Sequence, residues 1–492
     1  MQIEITERMP AKPPVLVLGA YAGRHLTPFA SALDRRLGGI LGRAMRAGGF
    51  TGGRDQHLDL VAPPAAARRI VLVGLGPKPE LKPLAAQEIG GRIENALAAE
   101  GESEAAVALD LTGDLSAHLA FGARLAGQRF LKFRTRKRPE DPGEVRRLAI
   151  VAKAGKRVRQ SLARLDAVAE GVATARTLVN EPANALGPEE FVRRARRLAP
   201  LGVKVQVLEE AALRRLGMGA LLAVGSGSVR RPRLLVLRWK GRGAKTGRGP
   251  LAFVGKGVCF DSGGICIKKV DGMEEMRADM AGAAAVVGTI QALALRRAPV
   301  EAVGVAALVE NMPSAHSYRP GDIVRSMSGE TIEVVDTDAE GRLILLDALY
   351  YTATRFKPKA IVDLATLTYA VGAALGRLHA GLLSNDEALA QRLIRAGEAT
   401  GERLWRLPLD PGYDSHLESS VADIRQVAPD NQIADAVHGA QLLQRFVGKT
   451  PWAHLDIAYT GMLVIKETPT QPKGATGFGV RLLDQLASTY EG

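Results

Sequence analysis

Residues 334–349 read VVDTDAEGRLILLDAL, in which Asp336, Asp338, Glu340 and Arg342 occupy alternate positions before an apolar run begins. The residues leading in, TIEVVDT, have the character of a strand. RLILLDALYYTATR has the apolar spacing of a helix, with Gly341 at the joint. Strands alternating with helices build α/β sheets, where ligands sit beyond the carboxyl ends of the strands. Side chains two apart in an extended segment share a face. Asp338 and Glu340 are therefore expected to project together at a strand end, with Arg342 at or near the helix start. Acids crowded in this way raise one another's pKa unless positive charge is brought to them.

The same arrangement recurs outward from this stretch. LAFVGKGVCFDSGGICIKK ends a strand and carries Lys256, Asp261 and Lys268 among glycines. In MEEMRADMAGAAAVVGTI, Asp279 stands just ahead of a helix rich in alanine and glycine, where backbones can approach closely. Taken singly, an acid before a helix is a cap and a lysine beside glycines has no role. Together, the ends of one sheet carry four carboxylates, two lysines and an arginine. Divalent cations relieve such repulsion, and shared carboxylates build two-metal hydrolytic sites. The chain has no HExxH motif and no Cys/His cluster, so the oxygen-rich set suits Mn, Mg or Zn.

The rest of the chain sets the frame. At 492 residues two domains are expected, with the boundary near residue 165: an α/β domain over 1–165 and a larger catalytic domain over 166–492. In the first, PVLVLGAY, HLDLVAPP, RRIVLVGLG, AAVALDL and RRLAIVA read as strands. Helical patterns cover about 27–47, 83–99 and 158–178. In the second, nearly continuous apolar runs (RLLVLRW, PLAFVGKG, VEAVGVAALVE, AIVDLATLT, WAHLDIA) suit strands covered on both faces of a mostly parallel sheet. No secretory signal opens the sequence, and no apolar run is read as membrane-spanning. Cys259 and Cys266 fit neither CxxC nor a disulfide framework. A cytoplasmic protein with reduced thiols is expected.

The net charge of +14 is concentrated. Residues 129–164 hold thirteen basic and three acidic groups. Such a stripe is an electrostatic footprint for nucleic acid or another polyanion, against the plainer reading of a solvated loop and helix face. Phe130 and Phe133 are expected as anchors to the domain.

VGKGVCFDSGGICIK, MRADMAGAAAV and DTDAEGRL resemble the leucyl (cytosol) aminopeptidase family of two-metal peptidases. TLVNEPAN, ENMPSAHSYRPGDIV, DLATLT, GERLWRLPL, WAHLDIA and KGATGFGVRLL support the resemblance. It covers about residues 165–485 in order and spacing; the first domain matches in size and α/β character. The resemblance implies one metal on Lys256, Asp261, Asp279 and Glu340 and a second on Asp261, Asp338 and Glu340, each Mn or Zn. As a ligand, Lys256 must be a neutral amine. The metals would activate water and hold the free α-amine of a peptide substrate. Lys268 would stabilise the oxyanion, and Arg342 would hold a bicarbonate acting as general base. Met276, Asp336, Thr366, Leu367, Tyr369 and Ala458 would receive the substrate. A homohexamer is implied as well.

The sequence departs from the family at Asp336, where Asn is usual, and at Tyr369 and Tyr459, where the family carries glycine. Cys259 and Cys266 replace commoner Thr and Ser. The two tyrosines point to a narrowed or reshaped side-chain pocket. No implied ligand position is altered, which disfavours an inactive scaffold. A two-metal phosphoesterase is disfavoured because such sites recruit histidines; His316, His379 and His454 are read as structural. Trp405 and Trp452 are read as core or interface residues.

Overall fold

The computed structural model describes every residue except 62, 64–66, 137, 139, 140, 245, 246, 248, 430–432, 464–467 and 492. The chain divides into two compact units, Met1–Ala169 with Lys466–Pro472, and Glu170–Ile465 with Lys473–Gly492. The first division falls inside the helix Lys156–Asn180. The return of 466–472 to the first unit has no counterpart in the sequence reading.

In the first unit the strands are β1 (Gln2–Thr6), β2 (Val15–Tyr21), β3 (His25–Leu26), β4 (His57–Val61), β5 (Arg69–Gly76), β6 (Glu104–Ala108) and β7 (Arg147–Val151). They form one sheet in the order β1-β7-β6-β2-β5-β4, with β3 on β2. Pairing is parallel except for β4 on β5 and β3 on β2. β5 is buried throughout, as a central apolar strand should be. The helical run expected over 27–47 is two helices, Pro28–Arg36 and Ile40–Ala47, broken where Gly38 and Gly39 turn left-handed.

Several arginines of the basic stretch are already paired. Arg129 binds Glu94 at 2.8 and 2.7 Å, Arg147 meets Glu4 at 3.2 Å, Arg157 meets Asp114 at 3.7 Å, and Arg134 pairs with Asp141. Lys137 lies outside the described residues. Phe130 packs on Phe133 with centroids 6.0 Å apart, but Phe133 is exposed rather than buried as an anchor would be.

The second unit adds β8 (Lys204–Glu209), β9 (Arg233–Lys240), β10 (Leu251–Asp261), β11 (Glu301–Asn311), β12 (Ile323–Arg325), β13 (Thr331–Glu333), β14 (Ala360–Ala365), β15 (Ala380–Ser384), β16 (Leu404–Arg406), β17 (Ile424–Arg425) and β18 (Trp452–Asp456). Eight of them make a mixed, mostly parallel sheet in the order β16-β15-β18-β14-β10-β11-β9-β8. Its centre, β18-β14-β10-β11, is wholly parallel. Helices cover both faces. Ala252, Val254 and Val258 of β10 pack with Leu343 and Ile344 of the helix Glu340–Phe356. At alternate positions, Gly255 and Gly304 lie against Ala283, Val286 and Ile290 of the helix Ala281–Leu295. The stretch Met273–Leu295 is long and apolar enough to cross a membrane, yet 83% of its most apolar window is buried in the protein, as in a core helix. A smaller sheet, β12-β13-β17, leads the chain toward residues 334–340.

Candidate active site

The chemistry collects where β10, β14 and β18 end and two helices begin, around a cavity of about 350 Å³. Lys256 lies within β10 and Asp261 at its end. The register with β11 shifts between Val258 and Asp261; irregularities of this kind re-aim side chains near active sites. Lys268 follows in the next loop. Asp279 precedes the helix Ala281–Leu295, and Glu340 is the first residue of its own helix.

One sequence expectation is corrected here. β13 stops at Glu333, so Asp338 and Glu340 do not share a strand face. Residues 334–339 form a loop instead, and Glu340 already belongs to the helix. Gln426 explains the break. Its Oε1 accepts the N–H groups of Val335 and Asp336 at 3.1 and 3.2 Å, and its Nε2 donates to Ala339 O at 2.7 Å. This buried side chain takes the place of a partner strand. The acids still converge: Asp261, Asp338 and Glu340 each offer an oxygen within 4.8 Å of the other two.

Two lysines compensate them. Lys256 Nζ donates to Asp279 Oδ1 at 2.7 Å and to Thr366 O at 2.8 Å, and meets Glu340 Oε1 at 2.8 Å. A side chain on Gly341 would meet Lys256 Cε at 2.7 Å, so only glycine leaves the lysine its path. Lys268 Nζ lies 2.9 Å from Asp261 Oδ2 and pairs with Asp338. Burial opposes the Lys256 charge, but Asp279, Glu340 and Asp261 outweigh it and hold the pKa above the ordinary lysine value. Lys268 is raised in the same way, burial being overcome by Asp261, Glu340 and Asp338.

The acids remain under-compensated. Burial, then the nearby Asp261, pushes Asp338 up to about 7. Burial raises Glu340 and raises Asp279 well above the ordinary range, despite Lys256. Asp279 Oδ2 is buried with no hydrogen-bond partner among the described residues. A carboxylate oxygen left so is costly, and a donor set of four carboxylates and an amine fits divalent cations.

Positioning residues hold this cluster, and of these Asn311, Thr337 and Asp456 were passed over by sequence reasoning. Asn311 Nδ2 donates to Asp261 Oδ1 at 2.8 Å and to Thr337 O at 2.9 Å. Thr337 Oγ1 donates to Gly263 O at 2.6 Å and accepts from Cys266 N at 2.8 Å, tying the two acid-bearing loops together. Thr366 Oγ1 donates to Asp279 Oδ1 at 2.6 Å. Asp456 accepts from Leu367 N, Thr368 Oγ1 and Ala458 N, fixing the loop after β14. Asn311 and Gln426 are each one amide on an otherwise ordinary stretch, which gives no periodic signal.

The remaining expected residues line the same cavity: Met276, Asp336, Arg342, Thr366, Leu367, Tyr369 and Ala458, with Tyr459 beside them. Arg342, 2% exposed, donates to Gln426 O at 3.1 Å and pairs with Asp435 at 2.7 Å. Asp336 Oδ1 accepts the Asp338 N–H at 2.8 Å. The Tyr459 ring lies against Gly372, with the Arg377 guanidinium 5.3 Å from its centroid. His454 is buried at 2.6 Å from Asp363 on the neighbouring strand β14. Trp452 is buried, whereas Trp405 is exposed and packs edge-on against His379. Both cysteines are free.

Two family models match the chain: the catalytic domain of the cytosol aminopeptidase family over residues 173–484, and the N-terminal domain of that family over 17–137. The second match extends the resemblance into the first unit. A probable cytosol aminopeptidase of Caulobacter vibrioides is 47% identical over 479 residues, 97% of each chain. One from Nitrobacter winogradskyi is 48% identical over 471 residues, 94% of this chain and 93% of the relative. Among solved structures, a lysine-to-glutamate mutant of tomato leucine aminopeptidase is similar with a TM-score of 0.85 at 32% identity, covering 99% of this chain and 96% of that one. The bottromycin maturation enzyme BotP in complex with Mn gives 0.84 at 32% identity, over 97% and 100%.

Proposed function

The chain belongs to the cytosol aminopeptidase family, and on that premise we propose how its residues share the removal of an N-terminal amino acid. The protein is a metal-dependent aminopeptidase, a hydrolase of peptide bonds. One cation would be held by Lys256, Asp261, Asp279 and Glu340, and a second by Asp261, Asp338 and Glu340, with Mn or Zn as the ions. When bound, the pair supplies Lewis-acid polarisation of the scissile carbonyl and acidifies water. Lys256 would then serve as a neutral amine.

Lys268 Nζ, a donor-only group at the cavity wall, donates to the carbonyl oxygen as that oxygen gains charge. Arg342 is held by Gln426 and Asp435, while its Nε is buried with no hydrogen-bond partner among the described residues. That guanidinium would hold a bicarbonate, which would supply general-base chemistry there. Met276, Asp336, Thr366, Leu367, Tyr369 and Ala458 receive the first residue of a peptide with a free N-terminus. Residues 166–492 act as the catalytic domain and 1–165 as an accessory one. The protein would work as a homohexamer, as the motif resemblance implies, and in the cytoplasm, in keeping with its relatives' naming.

The observation that carries this reading is the convergence of Asp261, Asp338 and Glu340 within 4.8 Å beside Lys256 and Lys268. The comparisons lend nothing to a nucleic-acid role for 129–164, where Arg129, Arg134, Arg147 and Arg157 are ion-paired. Metal-stripped protein reloaded with Mn or Zn should hydrolyse leucine amide and leave N-acetyl-leucine amide intact. Equal hydrolysis of both would remove the exopeptidase reading.

A further inference from the structure

Tyr369 stands where β14 gives way to the short helix Ala370–Leu375. It lines the cavity and is 61% exposed, so the rest of the protein does not occupy it. Its hydroxyl lies 3.4 Å from Lys268 Nζ, and that nitrogen lies 5.3 Å from the ring centroid. Lys268 in turn faces Asp261 and Asp338, so the phenol stands beside the reacting centre.

An ammonium has three donors and no acceptor. In its contact with Lys268 the Tyr369 hydroxyl must therefore accept, which leaves its single hydrogen to donate elsewhere. No other hydrogen bond engages that hydroxyl among the described residues. The ammonium also polarises the O–H and strengthens it as a donor. Two donor atoms 3.4 Å apart can share one acceptor at roughly 2.8 Å from each.

We propose that Tyr369 is a further catalytic residue, its O–H donating beside the Lys268 N–H to the scissile carbonyl oxygen. As water adds to the carbonyl carbon, the π pair moves onto that oxygen, and a donor aimed there binds the transition state better than the substrate. The ring, set over Lys268, also shields the ammonium from water. The inference rests on the aminopeptidase reading above and adds a donor that a glycine cannot supply.

Tyr369→Phe separates the hydroxyl from the ring, since the phenyl keeps the pocket wall and the cation–π contact. With Mn-loaded protein and leucine amide, kcat is expected to fall ~10-fold or more while KM stays within ~2-fold. By calorimetry, affinity for the phosphonic acid analogue of leucine, a tetrahedral mimic, should fall by a similar factor, and affinity for leucine should hold. Tyr369→Gly should lose the same kcat and also change side-chain preference. Unchanged kcat and phosphonate affinity in Tyr369→Phe would overturn the proposal and leave the ring as a wall. A wild type inactive on leucine amide would overturn the aminopeptidase reading and this one together, whereas an active wild type with an unaffected phenylalanine variant removes this one alone.

Discussion

Lys256 Nζ lies 2.7 Å from Asp279 Oδ1, and both side chains are buried at the end of the central sheet. The pair is also a hinge of composition, because the same ammonium meets Glu340 at 2.8 Å. Removing one partner of a buried pair leaves the others uncompensated and costs roughly 3–5 kcal/mol. Lys256→Met in metal-stripped protein should therefore lose about that much stability in urea unfolding, and should bind Mn more weakly. A variant as stable as the wild type, with unchanged Mn affinity, would show that the lysine neither compensates nor ligates.

Asp336 stands in the acidic stretch where the resemblance implies asparagine, and one bond of its carboxylate is local. Oδ1 accepts the Asp338 N–H at 2.8 Å, a bond that an asparagine carbonyl can accept equally well. Asp336→Asn should leave KM for leucine amide and Mn affinity within ~3-fold, whereas Asp336→Ala, which frees the loop, should weaken Mn binding ~10-fold. A large loss in the Asn variant would instead assign the charge itself to the substrate ammonium or the metals.

How much of this was legible follows from where each residue stands. Asp261, Asp279, Asp338 and Glu340 announce themselves because charge stands beside long apolar runs, at the end of β10 and just ahead of or at the start of two helices, and the lysines follow from the need to balance it. The geometry that unites Asp338 and Glu340 was not legible. Extended spacing suggested one strand face, but Gln426, some ninety residues on, takes the N–H groups of Val335 and Asp336 and ends the ladder. Asn311 is hidden in the same way, as one amide closing the apolar strand β11. In the first unit the amphipathic run over 27–47 concealed a break, since Gly38 and Gly39 alter the backbone without altering the pattern. Local chemistry is written in the sequence; the long-range amide clamps that set loop shape are not.

Asp347, from the same opening stretch, carries a pH dependence. Its buried carboxylate accepts N–H bonds from Leu221 at 3.0 Å and Met327 at 2.7 Å, yet burial pushes its pKa up to about 7. The unfolded value is about 3.9, so the folded state holds the proton more tightly. The stability this group contributes is present below about pH 4 and is lost as pH rises through about 7. At roughly 1.4 kcal/mol per unit, metal-stripped wild type should lose about 4 kcal/mol more than Asp347→Asn between pH 4 and 8. A wild-type-minus-variant difference that stays flat with pH would contradict the assignment.

The central claim is that the acids around Lys256 and Lys268 hold the divalent cations that make the protein an aminopeptidase. Its most direct test is a Mn titration of metal-stripped protein, with leucine amide hydrolysis followed in the same samples. Two equivalents bound per chain are expected, with hydrolysis appearing as they fill and absent from Glu340→Gln. Saturation with Mn and then with Zn that yields no hydrolysis of leucine amide, or of any amide with a free N-terminus, would contradict the account.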